Sequence, residues 1–195
     1  MVYVQVSWLE VIDPRVDNVY SMDKLPVIQG FPPLVAEGAR VLILGSMPGE
    51  ASIRAQAYYA HPRNSFWPIM AELFKFDLTL PYAQRVAELQ ARGVAVWDVL
   101  QACQRQGSLD TAICLTSEVP NDFERFFACY PQIDSVFCNG EKAWKSFRRY
   151  VLKPLALQSL HCQRLPSTSP AHASLSFQSK LDAWQVVADA LSRQS

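Results

Sequence analysis

The chain has 195 residues, with 18 basic against 18 acidic side chains and half of its residues hydrophobic. Length and apolar content suit one globular domain with a sizeable core and exclude a disordered chain. The zero formal net charge excludes generalised polyanion binding but permits a local basic patch.

Residues 1–24 mix apolar and acidic side chains and read as a dispensable extension, with Met22 as an alternative start. Residues 25–195 read as one domain. Val41, Leu42, Ile43 and Leu44 make a fully buried strand. Phe66, Ile69, Met70, Leu73 and Phe74 then recur on one helix face. Asn64 or Ser65 caps that helix, and Pro68 is tolerated in its first turn. Residues 81–92 form a second helix, with Tyr82, Val86 and Leu89 on one side and Gly93 as its stop. A second strand spans 94–99. Asn121 and Glu124 have capping-box spacing for a helix reaching Cys129. A third strand spans 133–138, and Gly140 opens a helix carrying Ala143, Trp144 and Phe147. A fourth strand spans 161–165. The last helix covers 176–191, with Leu181, Trp184, Val187 and Ala188 facing inward. Strands alternating with helices predict a three-layer α/β/α sandwich around a four-stranded, mainly parallel sheet.

In such a sheet, ligands sit beyond the carboxyl ends of the strands. Each predicted strand ends in a polar or Gly/Pro cluster: GSMPG from Gly45, Trp97 with Asp98, Asn139 with Gly140, and LPSTSPA from Leu165. After the first cluster comes AHPRNSFW, from Ala60 to Trp67, and after the second comes GSLD, from Gly107 to Asp110. No Walker loop or G-x-S-x-G elbow is present. Cys103, Cys114, Cys129, Cys138 and Cys162 lack C-x-x-C spacing and read as idle thiols of a reducing, cytoplasmic setting. The three histidines are too far apart to suggest a metal site. No apolar run has the length of a membrane span, and no basic-then-apolar leader opens the chain.

Taken together and in order, these four motifs resemble those of the uracil-DNA glycosylase superfamily, and most closely its hypoxanthine-DNA (deoxyinosine) glycosylase branch. The resemblance covers residues 25–191. It implies a monomeric, cofactor-free enzyme whose partner is DNA containing a deaminated base. Such an enzyme turns the nucleotide out of the duplex and hydrolyses its base–sugar bond, leaving an abasic site. No lysine stands in the motifs as a Schiff-base nucleophile, so no lyase step is expected.

Glycoside hydrolysis passes through a sugar cation. A neutral amide can orient the attacking water and stabilise developing charge. Asn64 is the candidate catalytic side chain on that chemistry, and the resemblance points to the same residue; the alternative is a helix cap. Gly45, Ser46, Met47, Pro48 and Gly49 are expected to line the base pocket, or else to form a tight turn and nothing more. One of Tyr59 and Phe66 is the expected stacking wall. Asp98 is placed to accept from the ring N–H of hypoxanthine, or else to fix the following loop. Asn139 lines the pocket or caps the next helix, with the cap favoured.

Ser167, Thr168, Ser169 and Pro170 fit a rigid phosphate-gripping loop, with Ala171 and His172 beside the gap. Arg63 is the best-placed cation for DNA. Lys142, Lys145, Arg148 and Arg149 read more simply as a solvated helix face, and Arg164 adds charge nearby. Two departures from the superfamily stand out. Met47 replaces the usual Asp or Asn of the first motif, and Leu165 replaces the His of the fourth. Neither side chain activates water or stabilises a leaving uracil. Met47 therefore weighs against the alternative of a mismatch-specific uracil/thymine glycosylase. A lesion-binding protein that has lost catalysis is the other alternative.

Overall fold

The computed structural model describes residues 25–157 and 159–192. The dispensable extension assigned to residues 1–24, and Met22 within it, lie outside the described residues. The central sheet has four strands: β2 (Val41–Gly45), β3 (Val94–Asp98), β6 (Ser135–Asn139) and β7 (His161–Leu165). They lie in the order β3-β2-β6-β7 and every pairing is parallel. Val41 to Leu44 are fully buried, as strands covered on both faces must be. The parallel register brings Gly45, Asp98, Asn139 and Leu165 to one edge.

The helices fall into two packed groups. One contains α2 (Phe66–Phe74), α3 (Tyr82–Ala91) and α6 (Phe177–Ser192), with the Phe66 ring edge-on to Trp184 and Trp67 edge-on to Tyr82. The other contains α4 (Phe123–Cys129) and α5 (Glu141–Phe147), which meet through Phe123 and Phe147. The crossover from β2 to β3 runs opposite to that from β6 to β7, so right-handed connections put the two groups on opposite faces. A short helix, α1 (Glu50–Ala55), follows the first loop. The chain closes α3 on Gly93 at φ +77, where a residue with a side chain would be strained.

Two local expectations are corrected. The cap of α4 is Asp122, whose Oδ1 accepts from the Arg125 N–H at 3.0 Å. The helix begins one residue later than a cap at Asn121 requires, and Asn121 instead donates to the Asp98 carbonyl at 2.8 Å. Asn139 is likewise no cap, because Gly140 occupies the N-cap of α5. Beyond the four predicted strands, a small antiparallel sheet β1-β4-β5 joins β1 (Val27–Gln29), β4 (Leu100–Gln104) and β5 (Val119–Pro120). Its strands are short, and Cys103 and Gln104 break the alternation that Leu100, Gln101 and Ala102 begin.

Candidate active site

A cleft of about 1200 Å³ opens along the edge where the four central strands end. Its floor is set by a close approach. A β-carbon on Gly45 would stand 2.2 Å from Asp98 Oδ1 and 3.2 Å from the Tyr59 hydroxyl oxygen, so the glycine makes room for both groups. Asp98 is buried, and its Oδ2 has no hydrogen-bond partner among the described residues; the Tyr59 hydroxyl oxygen is equally buried, with the Asn139 side chain beside it. Burial pushes the Asp98 carboxyl up to about 7, the charge of Asp110 adds to the rise, and Arg105 opposes it. Burial, then the field of Asp98, raises the Tyr59 phenol, so it stays protonated.

The first loop follows Gly45. Ser46, Met47, Pro48 and Gly49 all line the cleft. Ser46 Oγ donates to Asp110 Oδ1 at 2.6 Å, and the Glu50 N–H donates to Ser108 Oγ at 3.0 Å, fastening this loop to the GSLD segment. Beneath both lies Arg105, only 1 % exposed. Its guanidinium donates to the Pro48 carbonyl at 2.6 Å and to the Gly107 carbonyl at 2.8 Å.

Tyr59 lines the cleft with a left-handed backbone at φ 56, and its ring stacks on Phe66 at 3.9 Å. Phe66 itself is fully buried and does not line the cleft. Its place in the base pocket is therefore corrected: it backs the wall, because position 66 belongs to the inward face of α2. Asn64 lines the cleft, and its Oδ1 accepts the Phe66 N–H at 3.0 Å, one residue ahead of the Ser65 N-cap. His61 builds the turn that holds it: its carbonyl accepts the Asn64 N–H at 2.8 Å and its Nδ1 accepts the Arg63 N–H at 3.1 Å.

The loop after β7 forms another wall, and Ser167, Thr168, Ser169, Pro170, Ala171 and His172 all line the cleft. Asn139 grips it twice, donating to Thr168 Oγ1 at 2.8 Å and accepting from the Thr168 N–H at 2.9 Å. The Thr168 carbonyl takes the Ser65 N–H at 3.0 Å, which ties the near end of this loop to the turn that carries Asn64. From α6, Trp184 Nε1 donates to the Pro166 carbonyl at 3.0 Å and Lys180 Nζ to the His172 carbonyl at 2.9 Å.

Most of the suggested cations are already matched. Lys142 pairs with Glu118, and Glu141 pairs with both Arg164 and Lys145. Arg148 lies over Trp144 and Arg149 over Tyr150. Arg63 lines the cleft and makes no ion pair among the described residues. Sequence reasoning missed Arg105, Lys180 and the bracing role of Asn121. A charged residue inside an apolar-periodic stretch was the one available signal for Lys180.

The model of the uracil DNA glycosylase superfamily matches residues 32–189. The chain belongs to the uracil DNA glycosylase superfamily. Among its relatives in this superfamily, a Hypoxanthine DNA glycosylase of Methanosarcina barkeri is 39% identical over 116 residues, 59% of this chain and 72% of that protein. A Hypoxanthine DNA glycosylase of Methanosarcina acetivorans is 31% identical over 160 residues, 82% of this chain and 96% of that protein. The solution NMR structure of a candidate uracil DNA glycosylase from Methanosarcina acetivorans superposes with a TM-score of 0.73 at 29% identity, covering 86% of this chain and all of that one. No helix among the described residues is long and apolar enough to cross a membrane.

Proposed function

We propose that this chain is a monofunctional DNA glycosylase that hydrolyses the N-glycosidic bond of a deaminated base, hypoxanthine foremost, in base excision repair. The observation that carries the reading is the buried Asp98 carboxyl on the cleft floor, its Oδ2 without a hydrogen-bond partner among the described residues, beside the Tyr59 hydroxyl and a glycine that makes room for both side chains. Hypoxanthine offers a ring N–H and an adjacent carbonyl. The Asp98 carboxylate accepts from the N–H, and the Tyr59 hydroxyl donates to a base acceptor. The relatives named for hypoxanthine support the choice of base.

Asn64 is the catalytic residue in this reading. An amide oxygen has two lone pairs. The Phe66 N–H occupies one and fixes the side chain, and the other holds the attacking water beneath the sugar. Fixing that water replaces a costly encounter with a positioned one. Met47, with only a weakly accepting thioether, does not share the task. Arg63 and the 167–172 loop hold the phosphates around the lesion, and the protein acts as a monomer in the cytoplasm.

The test is base release from matched oligonucleotides carrying deoxyinosine, deoxyuridine or deoxyxanthosine, scored as alkali-labile breaks, with Asn64→Ala beside the wild type. Breaks mainly at deoxyinosine that fall by a factor on the order of a hundred or more in the variant are the expected result. Faster release of uracil would favour the mismatch uracil/thymine alternative. Lesion binding without breaks would identify a non-catalytic binder, and breaks that survive the substitution would discard Asn64.

A further inference from the structure

The chain carries no net charge, yet its charges are segregated. Residues 142–181 hold seven of the 18 basic side chains and none of the 18 acidic ones. The stretch includes most of α5, all of β7 and the loop after it, which together build one bank of the cleft. Gly140, Glu141, Lys142 and Lys145 stand on that bank.

From the cleft, α5 runs on into a π-helical turn, Arg148–Leu152. Ala143, Ser146, Phe147 and Val151 are the buried side. Every exposed position from 142 to 153 is a cation: Lys145, Arg148, Arg149 and Lys153. A helix face that is merely solvated commonly mixes both signs. Lys142 stands apart from this row, largely buried and paired with Glu118. Glu141, at the cleft end, has one charge for two cations, Lys145 and Arg164, which leaves a positive surplus at the rim. Arg148, Arg149 and Lys153 make no ion pair among the described residues. Arg148 lies over Trp144 at 5.6 Å and Arg149 over Tyr150 at 5.1 Å. Such stacking steadies a guanidinium without engaging its N–H groups. At the helical rise the row from Glu141 to Lys153 is about 18 Å long, the length of about five base-pair steps.

Resting on the glycosylase reading above, we propose that this row is a second DNA contact, which holds the phosphate backbone of one flank of the duplex. It lies beyond the nucleotides around the lesion, which Arg63 and the 167–172 loop hold. Charge complementarity and continuity with the cleft bank select this occupant. The row reads charge alone, so it grips damaged and undamaged duplex alike.

The probe is a duplex with one deoxyinosine and long flanks, and the same duplex with one flank or the other trimmed back to the lesion. Binding is titrated across salt for wild type, Arg148→Gln/Arg149→Gln, Arg148→Lys/Arg149→Lys, and Lys75→Gln as a control at the end of α2. The Gln pair is expected to flatten the slope of log Kd against log salt by about two and to weaken binding on the order of tenfold near physiological salt. The Lys pair, which keeps the charge, should retain most of both. Trimming one particular flank should erase the difference between wild type and the Gln pair, and trimming the other should not. An unchanged slope, a Lys pair as weak as the Gln pair, an equal loss in Lys75→Gln, or a deficit that survives trimming of either flank would overturn the proposal. Base release by wild type is scored on the same duplexes: its absence would refute the glycosylase reading, while the salt slopes decide the role of the row.

Discussion

Asp98 Oδ1 occupies the space that a side chain on Gly45 would need, 2.2 Å from the position of the missing β-carbon. Two strand ends are thereby locked together, since Gly45 and Asp98 are also register partners in the parallel ladder. The first-loop glycine is required by the carboxylate of the neighbouring strand. It is not there to relieve a turn, since it has no left-handed φ.

Gly45→Ala therefore displaces Asp98 and presses toward the Tyr59 hydroxyl. A shift of about 1 Å in a positioning group costs on the order of a hundredfold in rate. The expected outcome is a loss of that size in kcat/KM for deoxyinosine, with circular dichroism near wild type. An active Gly45→Ala enzyme would show that Asp98 does not touch the base.

The pH behaviour of Asp98 follows from its burial. An unfolded aspartate titrates near about 3.9, whereas Asp98 in the folded chain is pushed up to about 7. Between these values the folded state holds the extra proton, so unfolding becomes easier as pH rises. The stabilising contribution is fully present below about 4 and is lost as pH climbs through about 7, an effect on the order of a few kcal/mol. The carboxylate proposed to accept the base N–H is formed over the upper part of that window. Activity is expected to rise where stability falls. Asp98→Asn should flatten both trends, measured as urea midpoints and kcat/KM profiles across the same pH range. A wild-type enzyme whose stability rises with pH in that window would contradict the burial argument.

Arg105 sets how far that rise goes. Its guanidinium opposes the upward push on Asp98, and it braces two loop carbonyls. Arg105→Gln leaves the Gly107 and Pro48 carbonyls short of donors, at a cost of about 1–3 kcal/mol each when buried. It also removes the positive field. The activity inflection should move to higher pH as thermal stability drops. A lower Tm with an unmoved inflection would limit Arg105 to bracing.

The parts of this fold that were legible in sequence are those where one physical signal dominates. Val41 to Leu44 form an uninterrupted apolar run and are wholly buried. The predicted bounds of the fourth strand coincide with β7. Once parallel strands were recognised, the convergence of Gly45, Asp98, Asn139 and the 166–172 loop followed from chain direction alone. What was not legible depends on partners distant in sequence. Arg105 reads as an ordinary polar residue until Pro48, 57 residues away, is seen to accept from it. Asn121 fits a capping pattern equally well, and its preference for the Asp98 carbonyl comes from the path of β4 and β5. Tyr59 and Phe66 were interchangeable in sequence; the inward face of α2 separates them.

Lys180 offers the sharpest division between structure and function. It is only 4% exposed, on the inward side of α6, and burial lowers its ammonium below the ordinary lysine range. Its ammonium donates to the His172 carbonyl, at the end of the loop we propose to face DNA. The other tie from α6 to this loop, from Trp184 to Pro166, lies at its beginning. Removing Lys180 thus frees the far end and leaves the near end held. Lys180→Met keeps the apolar stem in place and deletes the donor, costing about 1–3 kcal/mol. The loosened Ala171 and His172 should raise KM for duplex DNA several-fold. Asn64, held through Ser65 and Thr168 at the near end, should keep kcat close to wild type. Steady-state kinetics beside thermal unfolding would check this: a lower Tm with KM unchanged would make Lys180 a core residue only, and a fall in kcat would show that both ends of the loop reach the chemistry.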